Sequence, residues 1–205
     1  MSLNRLVPLS GILAVALTVI SFVIVGDTPD LDAPVTEIKS FYVTHDTDLA
    51  TGGILLVLAG LFFLVFFSAL RNFLRRAEPD AAGASTFSFA AGILVTVGLS
   101  IFGGIDVALG DVPDQLDPAG LQLLNVLSED LFPPFAIGTL LFLVATGVAI
   151  IRTGTFPRWL GWAIIVGAVF GVTPLFPVAM LTLGLFTLIA SVVMSMRAGE
   201  AFTRT

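Results

Sequence analysis

Residues 87–109 read FSFAAGILVTVGLSIFGGIDVAL, a run of 23 residues in which Asp106 is the only ionisable side chain. A bilayer core of about 30 Å takes roughly 20 apolar residues per helix, so this stretch has the length and composition of one membrane crossing. Its glycines, Gly92, Gly98, Gly103 and Gly104, are what helices in lipid use to bring backbones together, because packing rather than hydrophobicity drives association there. On that ground it is expected to be the most enclosed helix. Asp106, about one turn inside Asp111, is the one charge that does not sit at the rim of an apolar run, and it sets the question of function.

The rest of the chain repeats the same unit. Over 205 residues it is 57% hydrophobic and 12% charged, with a mean hydropathy of +1.04, whereas soluble domains carry about 25% charged residues. The apolar runs fall at about 6–25, 49–70, 87–109, 131–151, 157–173 and 177–196, which predicts one integral membrane domain, a bundle of six transmembrane helices. The strands of a β-barrel, of about ten alternating residues, do not fit these lengths. The first run follows Arg5 as a signal peptide would, but at about 20 residues it exceeds the usual 7 to 15, and it is read as a retained span. Cysteine is absent, which excludes disulfides and thiolate chemistry. The formal charge of −6 belongs to acids gathered in the loops, and nothing points to nucleic acid.

Between the spans lie two acidic loops. In the first, Val35, Ile38, Phe41 and Tyr42 recur at helical spacing opposite Thr36, Glu37, Lys39 and Ser40, predicting a short amphipathic helix at the interface. In the second, Asp117-Pro118 has the form of an N-cap followed by proline at the first helical position, opening a short leucine-rich helix through about Leu127. Ser128-Glu129-Asp130 then leads into the fourth span, with Pro133 and Pro134 near its start. A faint internal echo joins the loops: Leu31-Asp32 and Leu116-Asp117 open them, and Asp48-Leu49 and Asp130-Leu131 close them.

Arg5, Arg71, Arg75, Arg76, Arg152, Arg158, Arg197 and Arg204 all fall on one side of a six-span arrangement and only Lys39 on the other. The positive-inside rule makes the arginine side cytoplasmic, with both termini there and the two short helices outside.

The candidate site residues are few. His45, the only histidine, with Asp48, Asp106, Glu129 and Asp130, maps to the outer rim. Oxygen ligands with one imidazole suit a divalent cation such as calcium, magnesium or manganese, or a proton-exchanging pocket. No cofactor is otherwise expected. The bland reading is equally physical: acids beside helix N-termini are favoured there anyway. Arg71, Arg75 and Arg76 are candidates for anionic lipid headgroups, although topology asks for the same residues. Phe62, Phe63, Phe66 and Phe67 are expected to pack or face lipid. Phosphate loops, zinc-binding His-Glu-x-x-His pairs and nucleophile elbows are missing from the sequence. The leading expectation is therefore a non-catalytic protein that binds a lipid, a small apolar molecule or a protein partner. A proton-coupled carrier using Asp106 and a metal-dependent membrane enzyme using the outer cluster are the alternatives.

Phe41-Tyr42-x-x-His45, Ala69-Leu70-Arg71, Arg76-Ala-Glu78 and Arg152-Thr153-Gly154 leading to Pro157-Arg158-Trp159-Leu160-Gly161-Trp162 together resemble a group of small, uncharacterised actinobacterial multi-pass membrane proteins. The resemblance implies six helices and a plasma-membrane location, and it brings no activity and no catalytic residue.

Overall fold

Long apolar runs closed by glycine, proline or arginine become helices, and in the computed structural model every regular element of the described residues is helical. These residues are 7–30, 32–78, 83–111, 115–130, 133–170 and 176–200. A 3₁₀ turn, Val7–Leu9, leads into α1 (Ser10–Val25); α2 (Val35–Thr44) crosses the first acidic loop; α3 (Asp46–Arg75) and α4 (Ala84–Asp111) form a long hairpin. Then come α5 (Pro118–Asp130), α6 (Pro133–Thr153), α7 (Arg158–Val169) and α8 (Phe176–Glu200). Among the described residues five helices are long and apolar enough to cross a membrane. At 12 residues α7 is about 18 Å long, short of a full crossing. The charge-free turn expected around 173–177 lies mostly outside the described residues, as do Arg5 and Arg204.

α1, α3, α4, α6 and α7 pack in that order, each on the next, and α8 closes the arrangement against α1, α6 and α7. The α3–α4 seam is built on glycine. A Cβ on Gly53 would strike the Gly103 carbonyl and one on Gly103 would strike the Gly53 carbonyl, while Gly110 lies against the Asp46 carbonyl and Ala50. Gly53 and Gly60 on one helix, and Gly103 and Gly110 on the other, are seven apart, which is the spacing that keeps a left-handed seam in register. Ser88 Oγ and Thr146 Oγ1, 2.6 Å apart and buried, tie α4 to α6. Ser21 Oγ donates to the Gly52 carbonyl at 2.8 Å and ties α1 to α3.

α6, not α4, is the most enclosed helix: it buries Phe135, Thr139, Phe142, Leu143 and Ile150, while α4 exposes Phe87, Ile93, Leu94 and Val97. The small residues of α4 serve close seams with α3, at Gly103 and Gly110, and with α6, at Gly98 against Phe135, and its remaining face is outward. Phe63, Phe66 and Phe67 are buried with Phe142 and Phe186 in the main core, Phe67 and Phe142 lying 4.6 Å apart.

The expected outer helices are present, and they do more than lie at an interface. Ile38 and Tyr42 of α2, Leu121 of α5, and Leu49 and Leu109 at the ends of α3 and α4 form a second small core. Asp117 is the expected cap, its Oδ1 accepting from the Gly120 amide at 2.6 Å. The second helix is described through Asp130 rather than only to about Leu127, so Glu129 and Asp130 lie within α5. α6 begins at Pro133, where prolines that lack an amide cost a helix least.

The two ends of the bundle differ in charge. Arg197 Nη1 donates to the Thr155 carbonyl at 2.7 Å and its guanidinium lies 5.6 Å from the Phe73 ring, so the ends of α3, α6 and α8 meet. This end carries Arg71, Arg75, Arg152, Arg158 and Arg197. Phe176 packs against Phe135 at the opposite end, so α6 and α8 run in the same direction and the chain between them returns across the bundle through α7.

Candidate functional site

On α4 the residues Leu99, Phe102 and Asp106 stand at i, i+3 and i+7 and share a face, while Gly103, Val107 and Gly110 take the face against α3. This division turns Asp106 away from the glycine seam and into a cavity of about 240 Å³. Its walls are Ser21, Phe22, Val25 and Gly26 of the α1 end, Leu56 of α3, Phe135 of α6 and Met180 of α8, with Thr28 and Ser128 of α5. Gly26 has φ +68, a left-handed conformation that suits glycine, and its amide donates to the Phe22 carbonyl at 3.1 Å, ending α1 beside the chamber. Asp106 is partly buried and has no hydrogen-bond or ion-pair partner among the described residues.

The chamber adjoins a larger space. Phe22, Leu99, Phe135 and Met180 also line an apolar groove of about 420 Å³ between α1 and α8, floored by Phe63 and Leu183. Val19 and Phe22 of α1 and Leu181 and Leu185 of α8 edge the groove and are largely exposed, so its mouth faces the lipid. Gly184 stands in this wall with only Val15, 3.9 Å away, near the position of a Cβ.

The five rim candidates are not gathered into one site. His45 stacks on Phe41 at 4.3 Å and its Nδ1 lies 2.9 Å from the Phe41 carbonyl. It lines a separate outer cleft of about 460 Å³ with Asp27, Asp30 and Glu37. Asp48 is exposed in the first turn of α3. Glu129 and Asp130 lie in the last turn of α5, and their side chains are outside the described residues. Among the described residues no three His, Asp or Glu side chains are grouped as a metal would require. The chamber at Asp106 is lined by the second, third and fourth spans, through Leu56 of α3, Phe102 of α4 and Phe135 of α6, and also by α1, α5 and α8.

At the other end Arg71 lies 5.8 Å from the Phe89 ring, and its buried Nε has no hydrogen-bond partner among the described residues. Arg75 is partly buried and Arg76 exposed. Glu78, on the same side, accepts from the Ser85 amide at 2.9 Å and from its hydroxyl, capping α4.

The groove is what sequence reading missed. Its residues are leucines, valines and phenylalanines like those of any span, and Gly184 is the one outward sign, since a glycine amid Leu181, Leu183, Leu185 and Leu188 marks either a close helix contact or a gap.

A helical membrane bundle with an internal chamber lined by one acid, beside an apolar groove, is the class that this fold and site define. The chain belongs to a family described as a domain of unknown function (DUF4386), whose model matches residues 6–201. No curated protein and no solved structure matches it.

Proposed function

We propose that this protein is a non-catalytic binder of a lipid or other apolar-chained small molecule, taken laterally from the membrane into the groove between α1 and α8. The observation that carries this reading is that the 420 Å³ apolar groove adjoins the chamber at Asp106, Phe22, Leu99, Phe135 and Met180 lining both. The volume lies within the range of about 300–1,000 Å³ of ligand pockets, and the combination of apolar walls with one polar end is what an amphiphile requires. Below the chamber the buried rings of Phe63, Phe66, Phe67, Phe142 and Phe186 fill the bundle, which favours holding a molecule over passing it through. Anionic headgroups at Arg71, Arg75 and Arg76 are a second, electrostatic lipid contact under the same reading.

Gly184→Leu fills the groove from α8 with little in its way. Native mass spectrometry of the wild type released from membranes is expected to retain a bound lipid that Gly184→Leu loses while its melting temperature in detergent holds or rises. Equal retention in both proteins would remove the groove as the binding site.

The same reading includes topology: one integral domain crossing the plasma membrane six times, with α7 as the short crossing and the arginine end in the cytoplasm. The parallel course of α6 and α8 supports the count. A reporter active only outside the cytoplasm, fused after Arg204, is expected to be silent, and activity there would reverse the orientation.

A further inference from the structure

We infer that the molecule held here carries its polar end as a phosphate-free ammonium, a long-chain alkylamine whose nitrogen sits against Asp106 and whose chain lies in the groove. The inference rests on the proposed groove and adds the chemistry of the head. Every polar side chain of known pairing in the chamber is an acceptor. Ser21 commits its hydrogen to the Gly52 carbonyl and Ser128 commits its own to the Asn125 carbonyl, so each offers only lone pairs inward. Thr28 is already partnered. Asp106 contributes carboxylate oxygens without a donor among the described residues.

Backbone groups push the same way. α1 ends at the chamber, and a helix C-terminus presents unpaired carbonyls and about half a negative charge. At the near end of the described part of α6, Pro133 and Pro134 have no amide hydrogen to donate. No Lys, Arg or His is among the described lining residues. A chamber of acceptors around a carboxylate calls for a donor with positive charge, and an ammonium brings three N–H groups and one charge.

A phosphate between nitrogen and chain would meet no cationic donor among the described lining residues. Phe22, Leu99, Phe135 and Met180, all apolar, line both the chamber and the groove, so nitrogen and chain are adjacent in the proposed ligand.

The test uses the full-length protein in phosphatidylcholine nanodiscs at neutral pH, with dodecylamine, dodecanol, dodecanoate and a lyso-phosphatidylethanolamine competing for a fluorescent alkyl probe. Dodecylamine is expected to bind about tenfold or more tighter than dodecanol, the weight of one charge-assisted hydrogen bond, with the carboxylate and the phospholipid weaker still. Asp106→Asn should bring the amine down to the alcohol and leave the alcohol unchanged, and Asp106→Glu should restore the preference. Gly184→Leu should weaken all the ligands alike. Equal binding of amine and alcohol, tighter binding of the phospholipid, or an amine preference that survives Asp106→Asn would overturn the head-group assignment and leave the groove standing. Binding of none of the four would overturn both.

Discussion

The phenol of Tyr42 donates to Asn125 Oδ1 over 2.6 Å, and both side chains are fully buried. This bond joins α2 to α5 across 83 residues of sequence and makes one lid of two loops that would otherwise be separate. Asn125 also donates from Nδ2 to the Asp30 carbonyl at 3.5 Å, which fixes the chain that leaves α1. Ser128, one turn further along α5, is thereby held over Asp106.

Tyr42→Phe strands the amide oxygen of Asn125 in an apolar surround, so a loss of about 1–3 kcal/mol is expected, read as a lowered melting temperature in detergent. Tyr42→Phe with Asn125→Leu removes both partners and should recover part of that loss. A double variant less stable than either single one would show that the bond is not what holds the lid.

Ser88 and Thr146 are a test of polar pairing within the span region. Hydrogen bonds between membrane helices average about 0.6 kcal/mol with a maximum near 1.7, because the separated helices find other partners. A cycle of Ser88→Ala, Thr146→Ala and the double variant is expected to return a coupling of about that average by reversible denaturation in mixed micelles. A coupling indistinguishable from zero would reduce the 2.6 Å contact to mere proximity.

Two neighbouring glycines on α4 should respond in opposite directions. Gly103→Ala drives a methyl into the Gly53 carbonyl and is expected to cost about 1–3 kcal/mol, as overpacking does. Gly104→Ala meets nothing within 4 Å and should gain up to about 1 kcal/mol of helix propensity. Equal effects of the two changes on thermal stability would contradict the close seam.

Much of this molecule is legible without coordinates. Helices of membrane-crossing length follow from apolar runs, since a backbone in hydrocarbon must satisfy its own hydrogen bonds. Arginine placement separates the two ends, and Val35, Ile38, Phe41 and Tyr42 announce α2 by their period. Asp106 stands out because a lone acid in an apolar run has an energetic cost wherever it points.

Where it points is another matter. On sequence alone His45, Asp48 and Asp106 share a rim, yet His45 lines an outer cleft and Asp106 an inner chamber, because the rotation of α4 is set by Gly103 and Gly110 locking to α3. The groove is likewise invisible in sequence, since a leucine facing a gap and a leucine facing lipid are the same letter. The sequence by itself determined that this is an apolar helical bundle with a charge-sided pair of ends and one acid within an apolar run. Only tertiary structure decided that α8 stands far enough from α1 to leave space beside Phe22 and Gly184, and that this space adjoins the chamber at Asp106. Periodicity and hydropathy are properties of single helices, whereas a cavity is a property of the distance between them.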